Sequence, residues 1–384
     1  MNIFEKDSEF IAHTYGRTHI EFVKGKGSFL YDSEGREYID FGTGIAVNGL
    51  GISNSKWVEA VKNQLDTLSH TSNLYYTSPQ ADLAELLCER TGMKKVFFAN
   101  SGAEANECAI KVARKYYYDK TKKSNPEIIT LISSFHGRTI ATLKATGQDT
   151  FHQFFDPFPN GFTYAKANDI DDVKQKINDN TAAIFFELVQ GEGGVRTLDK
   201  EFVTQVASLC KEKDILLMID EVQTGNGRSG TLYAFEQFDI VPDVITTAKG
   251  LGNGLPIGAC LMGEKVSSTL TPGTHGSTFG GNPIACAGAL AIIKQIDDDL
   301  LNNVKENAKI IKEELSTCKK VKSISGLGLM IGIEVDDNKK IISECLEKGL
   351  VVLSAKTKVR LLPPLNMDKE TLYKGLKILK EVLE

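Results

Sequence analysis

The chain has 384 residues, of which 41% are hydrophobic and 25% charged, and a formal net charge of −5. Its length exceeds most single cores and suggests two domains, while the acidic balance gives no electrostatic reason to expect a nucleic-acid partner. No apolar run approaches the roughly 18 to 20 residues that span a bilayer, MNIFEKDSEF does not resemble a targeting peptide, and the seven scattered cysteines lack metal-ligand spacing. The expectation is a cytoplasmic protein with free thiols, no membrane contact and no metal.

In chain order, GSFLYDSEGREYIDF reads as a hairpin turning at Ser33-Glu34-Gly35. From about residue 96 to 260, short apolar runs (KKVFFAN, EIITLIS, AAIFFEL, ILLMIDE, DVITTA) alternate with helical stretches. This predicts an α/β domain with a mostly parallel sheet, whose ligands bind beyond the carboxyl ends of the strands. Near residue 285 the texture changes. IACAGALAIIKQI and LLNNVKENAKIIKEEL read as helices, SISGLGLMIGIEV and GLVVLS as strands, and DKETLYKGLKILKEVL as a closing helix. The expected organisation is a large domain over 46–285 and a smaller α+β domain built from 1–45 and 286–384.

Chemistry-bearing residues gather at the predicted strand ends. After KKVFFAN, a helix starts near Ser101. Ser101 is either a cap, with Glu104 completing a capping box, or, with the N–H groups of Gly102 and Ala103, a phosphate site at a positive helix end. SSFHGRT offers Phe135 as a stacking face, His136, and Arg138 as a bidentate carboxylate binder; a surface pair is the plain alternative. ELVQGEGGV places Glu187 and Glu192 around a glycine loop, as an acid/base pair or as one structural and one solvated carboxylate.

Asp220 ends the apolar run ILLMID, where a carboxylate needs a cationic partner such as a protonated ring nitrogen. Gly225–Gly230 matches G-x-G-x-x-G, but four residues separate it from the strand end, which argues against dinucleotide binding. Lys249 follows the β-branched run Val244–Thr247 and precedes Gly250, Gly252 and Gly254. It is a surface lysine or a nucleophile whose charge is removed as a Schiff base with an aldehyde. HGSTFGGNP adds Ser277 and Thr278 as anion contacts, or is a plain connection. Together these parts suit pyridoxal 5'-phosphate: phosphate site, ring-nitrogen carboxylate, stacking face and lysine.

The ordered stretches GIAVNGLG, SNLYY, NSGAEANE, FHGRT, QGEGGV, DEVQTGNGRSG, KGLGNGLPIGA and HGSTFGGNP resemble those of the class III (ω-amino acid) pyridoxal-phosphate aminotransferases, across nearly the whole chain. Leu188 stands where the family often has proline, and Asn253 where many relatives have glycine. The resemblance implies fold type I and a homodimer with shared active sites. It implies that Ser101, Gly102 and Ala103 bind phosphate, Phe135 stacks on the ring, and Asp220 pairs with the ring nitrogen. Glu221, Val222 and Gln223 would sit beside the cofactor, Lys249 would hold it, and Thr278 would reach the neighbouring subunit's phosphate. Arg138 would take the substrate carboxylate, Ser277 would lie beside the substrate, and Arg360 would bind glutamate's α-carboxylate, with Glu192 neutralising it when the amine donor is acetylornithine. The implied reaction passes the terminal amine of acetylornithine to 2-oxoglutarate, giving glutamate. Ornithine, succinyl-diaminopimelate and 4-aminobutyrate are the alternative donors, and a non-catalytic cofactor-binding protein the other class.

Overall fold

The structure, a computed structural model, describes residues 1–384. Its centre is a seven-stranded sheet. The spatial order is Lys95–Ala99, Gly258–Met262, Val244–Thr247, Leu216–Asp220, Thr181–Phe186, Glu127–Leu131 and Phe162–Ala165. Gly258–Met262 runs antiparallel to both its neighbours, and the remaining strands share one direction. The mostly parallel α/β architecture is therefore present, and five of the strands fall on the five expected runs.

The two strands that the sequence reading did not find have physical reasons for their silence. GACLM contains no β-branched residue, and FTYA is four residues long at the sheet edge; both weaken the strand signal. The central strands are buried on both faces, as parallel strands require. Ile184, Phe186, Leu217 and Ile219 join one apolar cluster, while the intervening Ala183, Phe185, Leu216 and Met218 join another. That alternation is the two-residue period of a strand expressed as packing.

The N- and C-terminal parts meet in a second sheet. Phe29–Asp32 and Glu37–Asp40 form the expected hairpin, and Leu350–Val351 pairs in parallel with Glu37–Asp40. Asp32 Oδ1 accepts the N–H groups of Glu34 and Arg36 and so shapes the turn. A third sheet contains Ser323–Leu327, Met330–Glu334, Lys358–Leu361 and Leu353–Ala355. The helices Asp298–Leu315 and Lys369–Leu383 bury Leu301, Val304, Ala308 and Ile311, and Leu372, Leu376 and Leu379, at the three- and four-residue spacing of one helical face. No helix is long and apolar enough to cross a membrane, and all seven cysteines are unpaired.

Candidate active site

Beyond the carboxyl ends of the parallel strands lies a cavity of about 430 Å³, within the size range of small-molecule sites. Ser101, Gly102, Ala103, Phe135 and Arg138 line it from one side, and Asp220, Val222, Gln223 and Lys249 from the other. The helix Gly102–Thr121 aims its N-terminus here. Ser101 caps it, its Oγ accepting the Glu104 N–H at 3.2 Å. Glu104 turns back one residue further than a capping box requires, accepting the Asn100 N–H at 2.6 Å. The N–H groups of Gly102 and Ala103 have no helical acceptor and are left for a ligand. Position 102 must be glycine, because a Cβ would stand 2.7 Å from Val222 Cγ1.

Asp220, the last residue of its strand, is 4% exposed. Its Oδ2 is 2.8 Å from His136 Nδ1 and accepts Asn106 Nδ2 at 2.8 Å, while its Oδ1 accepts the Val222 N–H at 3.0 Å. The His136 ring stacks on Phe185 at 4.3 Å, and Asn106 Nδ2 also donates to the His136 carbonyl at 2.7 Å. Sequence reasoning missed this network: it named His136 only as a neighbour of Arg138 and passed over Asn106. A buried asparagine on an alanine-rich helical face, one turn after Gly102, was the available signal.

Lys249 follows the adjacent strand with φ 46°, a left-handed conformation that costs about 1–3 kcal/mol for a non-glycine residue. Asn226 braces it, donating to Thr247 Oγ1 at 2.9 Å and to the Ala248 carbonyl at 3.1 Å. Burial lowers the pKa of its ammonium, against the opposing field of Glu192. Glu187 is also at the cavity, its pKa raised by burial and by the charge of Asp220.

The other sequence-predicted residues fall outside the cavity lining. Glu221 is fully buried and faces the opposite way: its Oε1 accepts the Phe235 N–H at 2.8 Å and its Oε2 the Thr224 hydroxyl. Burial raises its pKa to about 7. Arg360, on the Lys358–Leu361 strand, donates its Nη1 to Glu192 Oε1 at 2.6 Å and to Gln223 Oε1 at 3.1 Å, and its buried Nε has no partner. Gln223 thus joins that pair to the cavity. Ser277 Oγ accepts Asn100 Nδ2 at 3.2 Å, and Thr278 is exposed. Gly225–Gly230 forms turns, not a strand–turn–helix, and Arg228 is buried there, donating to the carbonyls of Leu329 and Pro363.

The residues present fit pyridoxal phosphate. A cradle that a single Cβ would fill, two uncommitted N–H groups, a braced carboxylate and a lysine share one cavity. Comparison with known proteins points the same way. Residues 10–383 match the class-III aminotransferase family. The chain is similar to the acetylornithine aminotransferase of Haemophilus ducreyi, 50% identical over 99% of this chain and 98% of that protein. The acetylornithine aminotransferase of Aquifex aeolicus is 47% identical over 97% of this chain and the whole of its own. The crystal structure of N-acetylornithine aminotransferase from Stenotrophomonas maltophilia superposes with a TM-score of 0.84 at 35% identity, covering 96% of each chain. The ornithine aminotransferase from Toxoplasma gondii superposes at 0.94 with 30% identity, covering 99% of this chain and 94% of that one. Cavity, fold and kinship agree, and the chain belongs to the class III aminotransferases, which act with pyridoxal 5'-phosphate.

Proposed function

We propose that this enzyme transfers the terminal amino group of N2-acetyl-L-ornithine to 2-oxoglutarate, giving N-acetyl-L-glutamate 5-semialdehyde and L-glutamate, a step of arginine biosynthesis. The observation that carries the reading is Lys249 and Asp220 lining one cavity, in a chain 50% identical to an acetylornithine aminotransferase. Bound pyridoxal phosphate supplies an aldehyde and an electron-accepting ring; the chain supplies binding, orientation and proton transfer. Gly102 and Ala103 N–H groups and the Ser101 hydroxyl would hold the phosphate, Phe135 would offer its face to the ring, and Val222 and Gln223 would line the space around it. Asp220, held in place by its hydrogen-bond partners, would keep a proton on the ring nitrogen. Lys249 Nζ would secure the cofactor and, once released by the incoming amine, would take a proton from the amine-bearing carbon of the substrate and deliver it to the carbon of the cofactor's aldehyde group. Its lowered pKa favours the neutral amine that such a step needs.

Arg138 lies at the cavity with its guanidinium 4.2 Å from the centre of the Phe151 ring, positioned to take the donor's carboxylate. The acceptor brings a second carboxylate, for which Arg360 must leave Glu192; with a monocarboxylate donor Glu192 keeps Arg360 neutralised. Glu221 takes no part, being turned toward Phe235.

We assign the enzyme to the cytoplasm, as a homodimer in which Thr278 reaches the other subunit's phosphate and Ser277 lies beside the substrate. Leu74, Tyr76 and Phe279 are 84%, 105% and 62% exposed, and bare apolar side chains in this number support a partner surface. Unpaired thiols suit a reducing compartment. The parallel pairing of Glu37–Asp40 with Leu350–Val351 supports a small domain of 1–45 and 286–384 beside a large one of 46–285.

Donor choice rests on Gly44. A Cβ there would find nothing closer than 3.7 Å, and φ is 60°. Ornithine aminotransferases as a family carry near this point a tyrosine that contacts the free α-amino group. A glycine here offers no side chain to a free ammonium, a loss worth about 1.5–3 kcal/mol or tenfold to a hundredfold, and so favours an acylated amine. Steady-state kcat/KM for acetylornithine should exceed that for ornithine by this factor with 2-oxoglutarate as acceptor, and succinyl-diaminopimelate should react as a side substrate. Ornithine leading the series would reassign the donor.

A further inference from the structure

Glu187 is the one cavity-lining carboxyl group, other than Asp220, and the reaction as derived gives it no task. It follows the Thr181–Phe186 strand and is buried, and both its oxygens go to backbone. Oε2 accepts the Phe135 N–H at 2.9 Å and Oε1 the Gly191 N–H at 3.3 Å. Gly191 packs closely under the Gln223 amide: a Cβ would stand 2.6 Å from Gln223 Oε1 and displace it. That same oxygen accepts Arg360 Nη1, and the next residue, Glu192, takes the same Nη1 more closely. The backbone that Glu187 pins is therefore one residue from the group that occupies Arg360.

We propose that Glu187 is a positioning residue that sets the competition for Arg360: by pinning Gly191 it holds Glu192 ready as the internal rival of an incoming dicarboxylate. The proposal rests on the transaminase reading, in which Arg360 takes the acceptor's second carboxylate. Arg360 is held independently, because its strand pairs with Met330–Glu334 and its Nη1 keeps Gln223. Without Glu187 the Gly191 N–H loses its acceptor and the residue is held through its carbonyl alone, by Gly194 and Val195, so Glu192 gains freedom while Arg360 stays in place. A pre-organised rival competes better than a mobile one, since its ordering cost is already met. Removing the pin should tighten dicarboxylate binding and weaken the amine donor, which needs Arg360 neutralised.

Glutarate, a dicarboxylate with no keto group to react, is the probe. In Glu187→Gln the volume is kept, but the amide has one acceptor for two N–H donors. The shorter bond to Phe135 retains the oxygen, and Gly191 is released. Calorimetry on the holoenzyme should give a glutarate Kd about fivefold lower, the worth of one ordinary hydrogen bond. The donor KM should rise while kcat stays within about threefold, on the same scale. Glu187→Asp, too short to span both N–H groups, should move the same way. A glutarate Kd unchanged or raised in these variants, whatever their thermal stability, overturns the proposal. If neither variant folds, hydrogen exchange on the wild type decides. The Gly191 N–H should stay equally protected with and without glutarate, and loss of protection on binding overturns the pin. Failure of the transaminase reading is distinguishable, because wild type would then show no amine-dependent change in the cofactor spectrum.

Discussion

Asp220 and Arg138 border the same cavity and are built in opposite ways. Asp220 is 4% exposed and fixed by Asn106 from a helix, His136 from a loop and Val222 two residues on. Arg138 is exposed and rests on the faces of Phe151 and Phe135, at 4.2 and 5.7 Å, with no carboxylate partner. In the proposed mechanism the floor serves a charge that stays put through the reaction, where a fixed carboxylate in a dry site has its greatest effect. In the same proposal the rim meets two different substrates in turn, which suits cations held by contacts that can be exchanged. The Glu192–Arg360 pair belongs with the rim in this respect: Arg360 is buried, but its carboxylate partner is half-exposed and able to leave.

Asp220→Asn is the strongest way to break this contrast. The shape survives and the charge does not, so turnover should fall about 10²- to 10³-fold, measured as kcat with saturating donor and acceptor. A change below threefold would place Asp220 among structural residues.

A smaller effect sharpens the difference within the floor. Glu221 adjoins Asp220 in sequence but faces away, with a pKa raised to about 7 by burial. A folded-state pKa above the unfolded value means that the folded protein holds the proton more tightly. The stabilisation is complete below about pH 4.5 and is lost as pH rises through about 7, for a total of about 3 kcal/mol. Denaturant unfolding between pH 5 and 8 should show this loss, and Glu221→Gln should flatten it while leaving kcat near wild type. An equal slope in the variant would remove Glu221 as its source.

On the rim, Arg138→Ala should raise the donor KM about tenfold to a hundredfold, as expected for a lost charge-assisted contact, with kcat much less affected. Equal losses in kcat and kcat/KM would instead make Arg138 part of the floor.

How far each region could be read beforehand follows the same division. The positions of Lys249 and Asp220 at the cavity were legible because one follows a β-branched run and the other ends a strongly apolar one, both places where a charge stands out. Ser101 to Ala103 were legible as a helix start, and the cap and the open N–H groups turned out to be compatible. The donors to Asp220 were not legible, since Asn106 and His136 lie 114 and 84 residues away in sequence and meet it only through the sheet's topology. The Glu192–Arg360 pair spans 168 residues, and no local pattern announces it; it was expected from family resemblance alone. Glu221 illustrates the converse error. Adjacent strand-end residues point to opposite faces, so only one of Asp220 and Glu221 could enter the cavity.

The proposed chemistry depends most directly on which residue holds the cofactor. Borohydride reduction of the pyridoxal-phosphate-loaded enzyme, followed by digestion and mass spectrometry, locates that residue without relying on turnover. The added mass should appear on the peptide containing Lys249 and on no other lysine. Attachment elsewhere, or none in enzyme that still turns over, would contradict the assignment.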